Sequence, residues 1–310
     1  MNGLAGVLIS IAGTATTVAT LLWVIRWNRK KNRFSPFTEK LLRSPGYTLG
    51  KEVDQLTDDM FPHLLLIACL PLIYILLFPN LSSSTSQIVF GAFFLGAFLL
   101  ELKKLVTHFK RLIKLRLGLD GEVYTGQELN FLMRDGAWVY HDIPYQYGNI
   151  DHIVVSAGGV FVVETKAVRK PGNEEGKRQS TVVCKQGKLH FPHFVTDEPL
   201  RQAQRHADYV AKFFRDKTGQ SVPVSPVVAL PGWLVNNNSR NGPLVINPKR
   251  GAMLRALVRR PVIAPDRAAM LAKQIEAFAR SVASGTDKTD PDAHKKYTFW
   301  LNRKPEEQKL

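Results

Sequence analysis

Two acidic residues and one lysine lie in two short runs of β-branched and aromatic residues, where they could hold a divalent metal ion. Asp151 belongs to the first run, and Glu164 and Lys166 belong to the second. Carboxylates on adjacent strands repel each other unless a cation compensates their charge, and oxygen ligands suit Mg²⁺ or Mn²⁺. A nearby lysine can help to deprotonate a water molecule and can stabilise the charge that develops on a phosphate. The alternative is that these are ordinary charged residues at the ends of surface strands.

The segment between the two runs predicts a tight turn, and the position of this turn decides which side chains meet. The runs are separated by an Ala-Gly-Gly sequence that is typical of a β-hairpin. A two-residue turn that starts at Ala157 would place Asp151 opposite Glu164. A turn that starts at Gly158 would place Asp151 opposite Lys166. Both turns leave the three charged side chains on one face, because side chains alternate along a strand, whereas a three-residue loop would separate them.

Four motifs occur in order between residues 116 and 235, and together they are far more specific than any one of them alone. They are Gly118-Leu119-Asp120-Gly121-Glu122, Ile150-Asp151-His152-Ile153-Val154-Val155-Ser156, Gly159-Val160-Phe161-Val162-Val163-Glu164-Thr165-Lys166 and Pro199-Leu200-Arg201-Gln202-Ala203. In this order they resemble the nuclease-related domain, or NERD, family, which belongs to the PD-(D/E)xK nuclease superfamily. The resemblance implies an α/β, restriction-endonuclease-like fold with a mixed central sheet flanked by helices.

The resemblance also implies the ligands of a bound Mg²⁺ or Mn²⁺ ion. Asp151 and Glu164 would supply carboxylate oxygens, and the main-chain carbonyl of Thr165 would complete the protein's share of the metal shell. Ile150 stands where the superfamily name has proline, which is usual for this domain. After Lys166 the chain lacks the asparagine and the aromatic residue of many relatives, and this departure affects the expected substrate contacts rather than the metal site.

Three further residues receive roles from the same resemblance. Lys166 would activate the attacking water, Glu122 on the first helix would assist the metal ion or the water, and Gln202 on a later helix would brace the site or the substrate. Glu128 is an alternative to Glu122, but it lies outside the glycine-flanked motif. The activity that the resemblance implies is hydrolysis of phosphodiester bonds in nucleic acid, and we expect DNA in preference to RNA.

Two histidines next to the motifs are weaker candidates. His152 follows Asp151, and strand alternation turns its side chain to the opposite face, where we expect core packing or a supporting hydrogen bond rather than metal binding. His206 follows Gln202 by one helical turn and could reach the edge of the site. An exposed histidine on a helix is at least as good an interpretation of His206.

The N-terminal third of the chain predicts a membrane region, residues 1–106, with three spanning helices at about 4–25, 61–79 and 82–102. The first segment has no charged residue, and no Asp, Glu, Lys or Arg occurs between Phe61 and Leu100. About 20 apolar residues in a helix cross the hydrocarbon core of a bilayer. The third segment is the weakest of the three, because its strongly apolar part is short.

The charges around these segments predict their orientation. Residues 26–60 hold eight lysines and arginines and residues 101–116 hold six, whereas the tip between the second and third segments holds none. The positive-inside rule places both basic segments in the cytoplasm, which requires three spans and an N-terminus outside. We therefore expect a multi-pass protein of the cell (inner) membrane. Its expected partners are nucleic acid, the lipid bilayer and a regulatory protein or a second copy of the chain that contacts the spans.

The remaining sequence predicts one nuclease-like domain, residues 107–284, and a polar tail, residues 285–310. Strands are predicted at 137–141, 150–156, 160–166, 182–184, 188–191, 222–230 and 244–246. Helices are predicted at 122–133, 199–214, 252–258 and 265–283. The two cysteines, Cys69 and Cys184, lie far apart in dissimilar surroundings, which excludes a disulfide framework and a structural zinc site.

The net charge of +16, from 42 basic and 26 acidic residues, indicates an anionic partner such as nucleic acid or lipid head groups. Residues 117–200 have a net charge of −3 and residues 201–285 a net charge of +10. The expected nucleic-acid-binding residues are Lys249, Arg250, Arg255, Arg259 and Arg260. A solvated or lipid-facing basic surface is the alternative for this cluster, and a non-catalytic, membrane-tethered binding or scaffold module is the alternative for the protein.

Overall fold

The computed structural model describes residues 13, 16–21, 23–24, 41–81, 83–145, 148–171, 180–237, 242–250 and 252–282. The chain divides into two units, residues 1–40 and residues 41–310. In the first unit the few described residues are helical. Most of the predicted first span, 4–25, and all of the predicted tail, 285–310, lie outside the described residues.

Two long helices, α1 (Tyr47–Leu77) and α2 (Ser84–Asn130), form an antiparallel hairpin. A 3₁₀ turn at Phe78–Asn80 follows α1 and leads towards α2. Close to this turn the ring of Tyr74 stacks on that of Phe90, with ring centroids 5.7 Å apart. The opposite end of the hairpin buries a small apolar cluster, made of Val53, Leu56, Met60 and Leu112.

One helix in the described part of the chain, Tyr47–Asn80, has the length and the apolar composition to cross a membrane. None of the residues in its most apolar 18-residue stretch is buried against the rest of the protein. This helix includes the predicted second span, 61–79. The predicted third span, 82–102, is not a separate helix, because α2 continues without a break into the basic residues that follow it. The apolar part of α2 ends at Leu100. The described residues therefore contain one such helix, and the three-span arrangement stays a prediction.

The described residues form two β-sheets. The strands are β1 (Trp138–Tyr145), β2 (Gly148–Ser156), β3 (Gly159–Thr165), β4 (Thr181–Lys185), β5 (Lys188–His190), β6 (Val195–Thr196), β7 (Val224–Ala229), β8 (Leu234–Asn237) and β9 (Leu244–Ile246). The larger sheet has the order β1-β2-β3-β7-β9. Its first three strands are antiparallel, and β3, β7 and β9 are parallel. The predicted mixed sheet is confirmed, and the predicted strand 244–246 is confirmed residue for residue.

The smaller sheet has the order β6-β5-β4-β8. Neither β6 nor β8 is predicted by the sequence, because β6 has two residues and β8 is mostly exposed and lacks an apolar alternation. The buried indole of Trp233 stands at the base of this sheet, where its Nε1 atom donates a hydrogen bond to the carbonyl of Val168 over 3.0 Å. Cys69 and Cys184 are free, as the sequence predicts.

Helices cover both faces of the larger sheet. They are α3 (Glu198–Thr218), α4 (Ala252–Arg259), α5 (Pro265–Val282) and the C-terminal part of α2. One face packs on α3 and α5, and the other packs on α2 and α4. Neighbouring residues of β2 divide between these two cores, since Ile153 belongs to the first and Val154 to the second.

The predicted helices 199–214, 252–258 and 265–283 are confirmed with small differences at their ends. The apolar spacing in 199–214 marks the buried face of α3, and Pro199 lies in its first turn. The predicted helix 122–133 is the C-terminal part of α2, followed by a 3₁₀ turn at Phe131–Asp135. The helix that carries Glu122 is therefore continuous with the apolar hairpin.

Candidate active site

The turn between β2 and β3 places Asp151 next to Glu164. Ser156 pairs with Gly159, and the pairing continues in register to His152 and Val163. The next pair in this register is Asp151 and Glu164, so the turn that starts at Ala157 is the one that forms. The pairing with Lys166 that the other turn predicts is wrong.

Gly158 explains why the turn has this form. A Cβ atom at Gly158 would lie 2.0 Å from the carbonyl oxygen of Leu257, at the end of α4. Any side chain at this position would therefore push the hairpin away from α4. Gly159 has a φ of 124°, which L-residues rarely adopt. The Ala-Gly-Gly sequence thus permits both the backbone conformation of the turn and its close packing against α4.

Asp151 and Glu164 are buried, with exposures of 5% and 4%. The Oδ2 atom of Asp151 accepts a hydrogen bond from the main-chain N–H of Thr165 over 2.7 Å. Burial, with the negative charge of Glu164, raises the pKa of the Asp151 carboxyl well above its usual range. Burial raises the pKa of the Glu164 carboxyl to about 8, and the positive charge of Lys166 opposes this rise. Two buried acids that are costly to ionise form the centre of the site.

Glu122 approaches the same region from α2. Its side chain is buried, and its Oε2 atom has no hydrogen-bond partner among the described residues. Burial, followed by the charge of Asp151, raises the pKa of Glu122 to about 10. Glu128 is only half-buried, and its charge acts on Tyr124. Of Glu122 and Glu128, Glu122 is therefore the one whose pKa the charges of the acidic pair raise.

Lys166 lies just beyond the end of β3 and is exposed. Its main-chain N–H donates to the carbonyl of Ala229, which fixes its backbone. Its Nζ atom lies 3.5 Å from an oxygen of Glu198, in the first turn of α3. Its charge still acts on both buried carboxyls, because it lowers the pKa of each.

His206 belongs to the site, and the interpretation of it as an exposed helix histidine is wrong. Its Nδ1 atom lies 3.2 Å from the Oε2 atom of Glu164, and both side chains are buried. The two atoms are not aligned as a hydrogen bond. The ring of Tyr145 packs edge-on against the imidazole, with centroids 5.3 Å apart. Burial lowers the pKa of His206 to about 4, so the imidazole is neutral at pH 7. Gln202, one helical turn earlier on α3, is half-buried.

His152 lies on the opposite face of the sheet, buried as strand alternation predicts. It is fully buried, and its Nε2 atom lies 3.2 Å from the hydroxyl of Thr165. Its Nδ1 atom lies 2.9 Å from the Nδ1 atom of His141, whose other ring nitrogen contacts Asn130. This chain of contacts links the end of α2 to the residue whose N–H binds Asp151.

Asp142 is a buried acid that the sequence does not single out. It lies opposite Asp151 in the register of β1 and β2, has a φ of 48° and is fully buried. Its carboxylate accepts hydrogen bonds from Arg43 over 2.9 Å, from the hydroxyl of Thr48 over 2.8 Å and from Asn149 over 2.9 Å. The main-chain N–H of Thr48, in the first turn of α1, also donates to it over 3.2 Å. Through these hydrogen bonds, Asp142 connects the start of α1 to β1, the strand next to the one that carries Asp151.

The predicted nucleic-acid-binding cluster is partly neutralised. Arg255 and Arg259 both form ion pairs with Asp135, at 2.7 and 2.6 Å. Lys249 and Arg260 are exposed, and the side chain of Arg250 lies outside the described residues. The role of this cluster stays a prediction, but two of its five members already have a carboxylate partner.

The described donors fit a metal ion only in part. Among the described residues, no group of three or more His, Cys, Asp or Glu side chains converges closely enough to hold an ion. Asp151 and Glu164 provide two buried carboxylates, and the Oε2 atom of Glu164 lacks a hydrogen-bond partner in this part of the chain. Such an oxygen fits a cation that also takes main-chain and water ligands. This donor set is the one that the family resemblance implies.

One of the comparisons with known proteins found a match. Residues 117–231 match the nuclease-related domain, or NERD. No curated protein and no solved structure matches the chain significantly. The match begins just before Glu122 and ends after β7, so it includes the acidic pair, Lys166 and α3. Residues 117–231 of the chain are therefore similar to a nuclease-related domain.

Proposed function

We propose that the chain is a membrane-anchored, metal-dependent nuclease-like protein that hydrolyses phosphodiester bonds of nucleic acid, with DNA preferred to RNA. One observation carries the proposal: the buried carboxylates of Asp151 and Glu164 lie opposite each other, with Lys166 two residues further on. Like charges buried together are unfavourable unless a proton or a cation compensates them. A divalent cation is the compensation that also serves phosphodiester chemistry.

Asp151, Glu164 and the carbonyl of Thr165 are the residues that would hold Mg²⁺ or Mn²⁺. When bound, the ion would lower the pKa of a water ligand and polarise a phosphate oxygen. The N–H of Thr165 already holds one oxygen of Asp151, which leaves the other carboxylate oxygen for the ion. Lys166 would orient the attacking water and would have to leave Glu198 to do so.

Glu122 and Gln202 would act beside this centre, from α2 and α3. With its raised pKa, Glu122 keeps a proton at neutral pH in the metal-free protein and could exchange it with a water molecule. Gln202 lies one helical turn from His206 and can donate and accept hydrogen bonds to substrate or water. These assignments follow the roles that the family resemblance implies.

Membrane anchoring is part of the proposal. The support is the apolar helix Tyr47–Asn80, the exposed apolar side chains of the first part of α2 and the basic segments on either side. Three spans with the N-terminus outside would place the nuclease-like domain in the cytoplasm, at the cell (inner) membrane. A tag at the N-terminus should then react with an impermeant reagent in intact cells, whereas a tag at the C-terminus should react only after permeabilisation. If the C-terminal tag reacted in intact cells and the N-terminal tag reacted only after permeabilisation, the proposed orientation would be wrong.

A membrane-tethered module that binds nucleic acid without cutting it is the second candidate. Two observations favour it: the described residues lack a group of three metal-binding side chains, and Lys166 is paired with Glu198. A binding module would not need two acids buried together, which is why we place it second.

The experiment is a cleavage assay of the full-length chain in detergent. Linear, circular and single-stranded DNA and RNA are incubated with Mg²⁺, with Mn²⁺ or with EDTA. We expect metal-dependent cutting that is lost in Asp151→Asn and Glu164→Gln, because each substitution keeps the shape of the side chain and removes its charge. Lys166→Ala should also lose cutting while it keeps nucleic-acid binding.

The matched control is a pair of substitutions on one helix. Glu122→Gln should reduce cutting, whereas Glu128→Gln, on the same helix and pointing elsewhere, should not. Cutting by Asp151→Asn as fast as by the unaltered chain would overturn the assignment. Binding without cutting, under every metal condition, would favour the tethered binding module.

A further inference from the structure

Several basic side chains around the acidic pair already have a carboxylate partner. Lys166 pairs with Glu198 at 3.5 Å, and Arg201 pairs with Asp197 at 3.3 Å. On the other side of the sheet, in α4, two arginines share the carboxylate of Asp135. A phosphate that binds to any of these residues must compete with a carboxylate that is part of the protein.

Arg205, on α3, has no such carboxylate partner among the described residues. It is exposed, and it forms no ion pair and no hydrogen bond with any described residue. The next residue along α3, His206, lies 3.2 Å from Glu164, so the backbone of Arg205 is fixed beside the site. Gln202 lies three residues before it, which puts both side chains on neighbouring positions of the helix surface.

The position of Arg205 along α3 places it next to the contact between this helix and the acidic pair. His206, the following residue, lies 3.2 Å from Glu164, and Tyr145 of β1 packs on His206 with ring centroids 5.3 Å apart. Arg205 therefore lies on the exposed surface of α3, beside the residue that contacts the buried acids.

We propose that Arg205 binds a phosphate of the nucleic-acid backbone beside the scissile bond, and that α3 rather than α4 supplies the phosphate-binding surface of the site. This inference rests on the proposed function. Arginine suits the role because its planar guanidinium donates two parallel hydrogen bonds to a phosphate and stays charged at every working pH. An unpaired guanidinium also loses no internal ion pair when the phosphate binds.

The test measures binding of a fluorescently labelled DNA duplex to the full-length chain in detergent, with EDTA present to prevent metal-dependent cutting. Arg205→Gln should weaken binding by about 10–100-fold, since it removes a charge-assisted contact. The slope of log affinity against log salt concentration should fall by about one, because one phosphate contact is lost. Arg205→Lys should lose less, since it keeps the charge and loses only the paired hydrogen bonds.

Arg215→Gln is the matched control. Arg215 is exposed on the same helix, about 15 Å further along at 1.5 Å per residue, and the substitution removes the same charge. We expect its affinity and salt slope to stay within about twofold of the unaltered chain. Equal melting temperatures of the two variants would show that both are folded.

Two results would overturn the inference, and they are distinguishable. If the unaltered chain binds DNA and Arg205→Gln binds it equally, with the same salt slope, Arg205 is not a phosphate contact and the proposed function stands. If the unaltered chain binds neither DNA nor RNA at any salt concentration, the proposed function fails and the inference fails with it. A larger loss of DNA affinity in Arg259→Gln than in Arg205→Gln would show that α4, rather than α3, supplies the phosphate-binding surface.

Discussion

The Nδ1 atom of His206 in α3 lies 3.2 Å from the Oε2 atom of Glu164 in β3. Both side chains are almost fully buried. Since burial keeps the imidazole neutral, it can stand beside the carboxyl without adding a positive charge that would compete with a metal ion. This contact joins the helix that carries Gln202 to the strand that carries Glu164.

The first prediction concerns this contact. His206→Leu keeps the apolar packing on Tyr145 but removes the polar neighbour of Glu164, so we expect Mn²⁺ affinity to fall by about 10–100-fold, as for other residues that orient a metal ligand. His206→Gln, which retains a side-chain donor, should lose less. The measurement is Mn²⁺ titration followed by electron paramagnetic resonance. Unchanged affinity in His206→Leu, with an unchanged melting temperature, would show that His206 only packs.

The second prediction is a pH dependence of stability in the metal-free protein. Glu164 has a pKa of about 8 in the folded chain, above its ordinary 4.5, so the folded state holds a proton that the unfolded state has lost. Stability therefore falls as the pH rises towards 8. The buried histidines have lowered pKa values and act in the opposite direction, but only below about pH 6.5.

In EDTA, the melting temperature should therefore be higher at pH 6.5 than at pH 8. Adding Mn²⁺ at pH 8 should raise it again, because the ion takes the place of the proton. Glu164→Gln should reduce the difference between the two pH values. A melting temperature that increases from pH 6.5 to pH 8 in EDTA would contradict the raised pKa of the buried Glu164 carboxyl.

The third prediction concerns the buried ion pair of Arg43 and Asp142, whose side chains are 11% and 0% exposed. Arg43→Met leaves the Asp142 carboxylate buried without its cation, which should cost about 3–5 kcal/mol of unfolding free energy. The double variant Arg43→Met, Asp142→Asn should recover part of this loss. Asparagine tolerates the left-handed backbone of this position as aspartate does, so the substitution tests the charge alone. Urea unfolding in detergent measures these free energies, and additive losses would argue against coupling.

The fourth prediction compares two glycines. Gly158→Ala should destabilise the chain and loosen the β2–β3 turn, because its Cβ would collide with the carbonyl of Leu257 at 2.0 Å. Gly50 in α1 has open space around an added Cβ, so Gly50→Ala should be neutral or should stabilise by about 0.4–1 kcal/mol. Thermal unfolding compares the two variants. Equal stability of both would mean that the hairpin and α4 do not pack as described.

How far the sequence predicts the site depends on the range of each contact. Asp151 and Glu164 lie on one hairpin, so strand alternation predicts their shared face, but only the observed turn decides between the two registers. His206 could be recognised by its position one turn from Ala203 and Val210 on the buried face of α3. The sequence alone does not show which end of the sheet this face covers.

Other features depend on long-range contacts that leave no local pattern. Asp142 binds Arg43, which lies 99 residues earlier in the chain, and no periodicity links the two. The ion pairs of Asp135 with α4 are of the same kind, since a count of basic residues cannot tell which are already neutralised. The short strands β6 and β8 form because neighbouring strands pair with them rather than through their own composition.

The most direct test of the account is equilibrium binding of Mn²⁺ to the full-length chain in detergent, measured by isothermal titration calorimetry beside Asp151→Asn and Glu164→Gln. We expect one ion bound per chain and at least a tenfold loss of affinity in each variant, with the fold retained. Binding that is absent in the unaltered chain, or equally tight in both variants, would contradict the assignment of Asp151 and Glu164 as a metal centre.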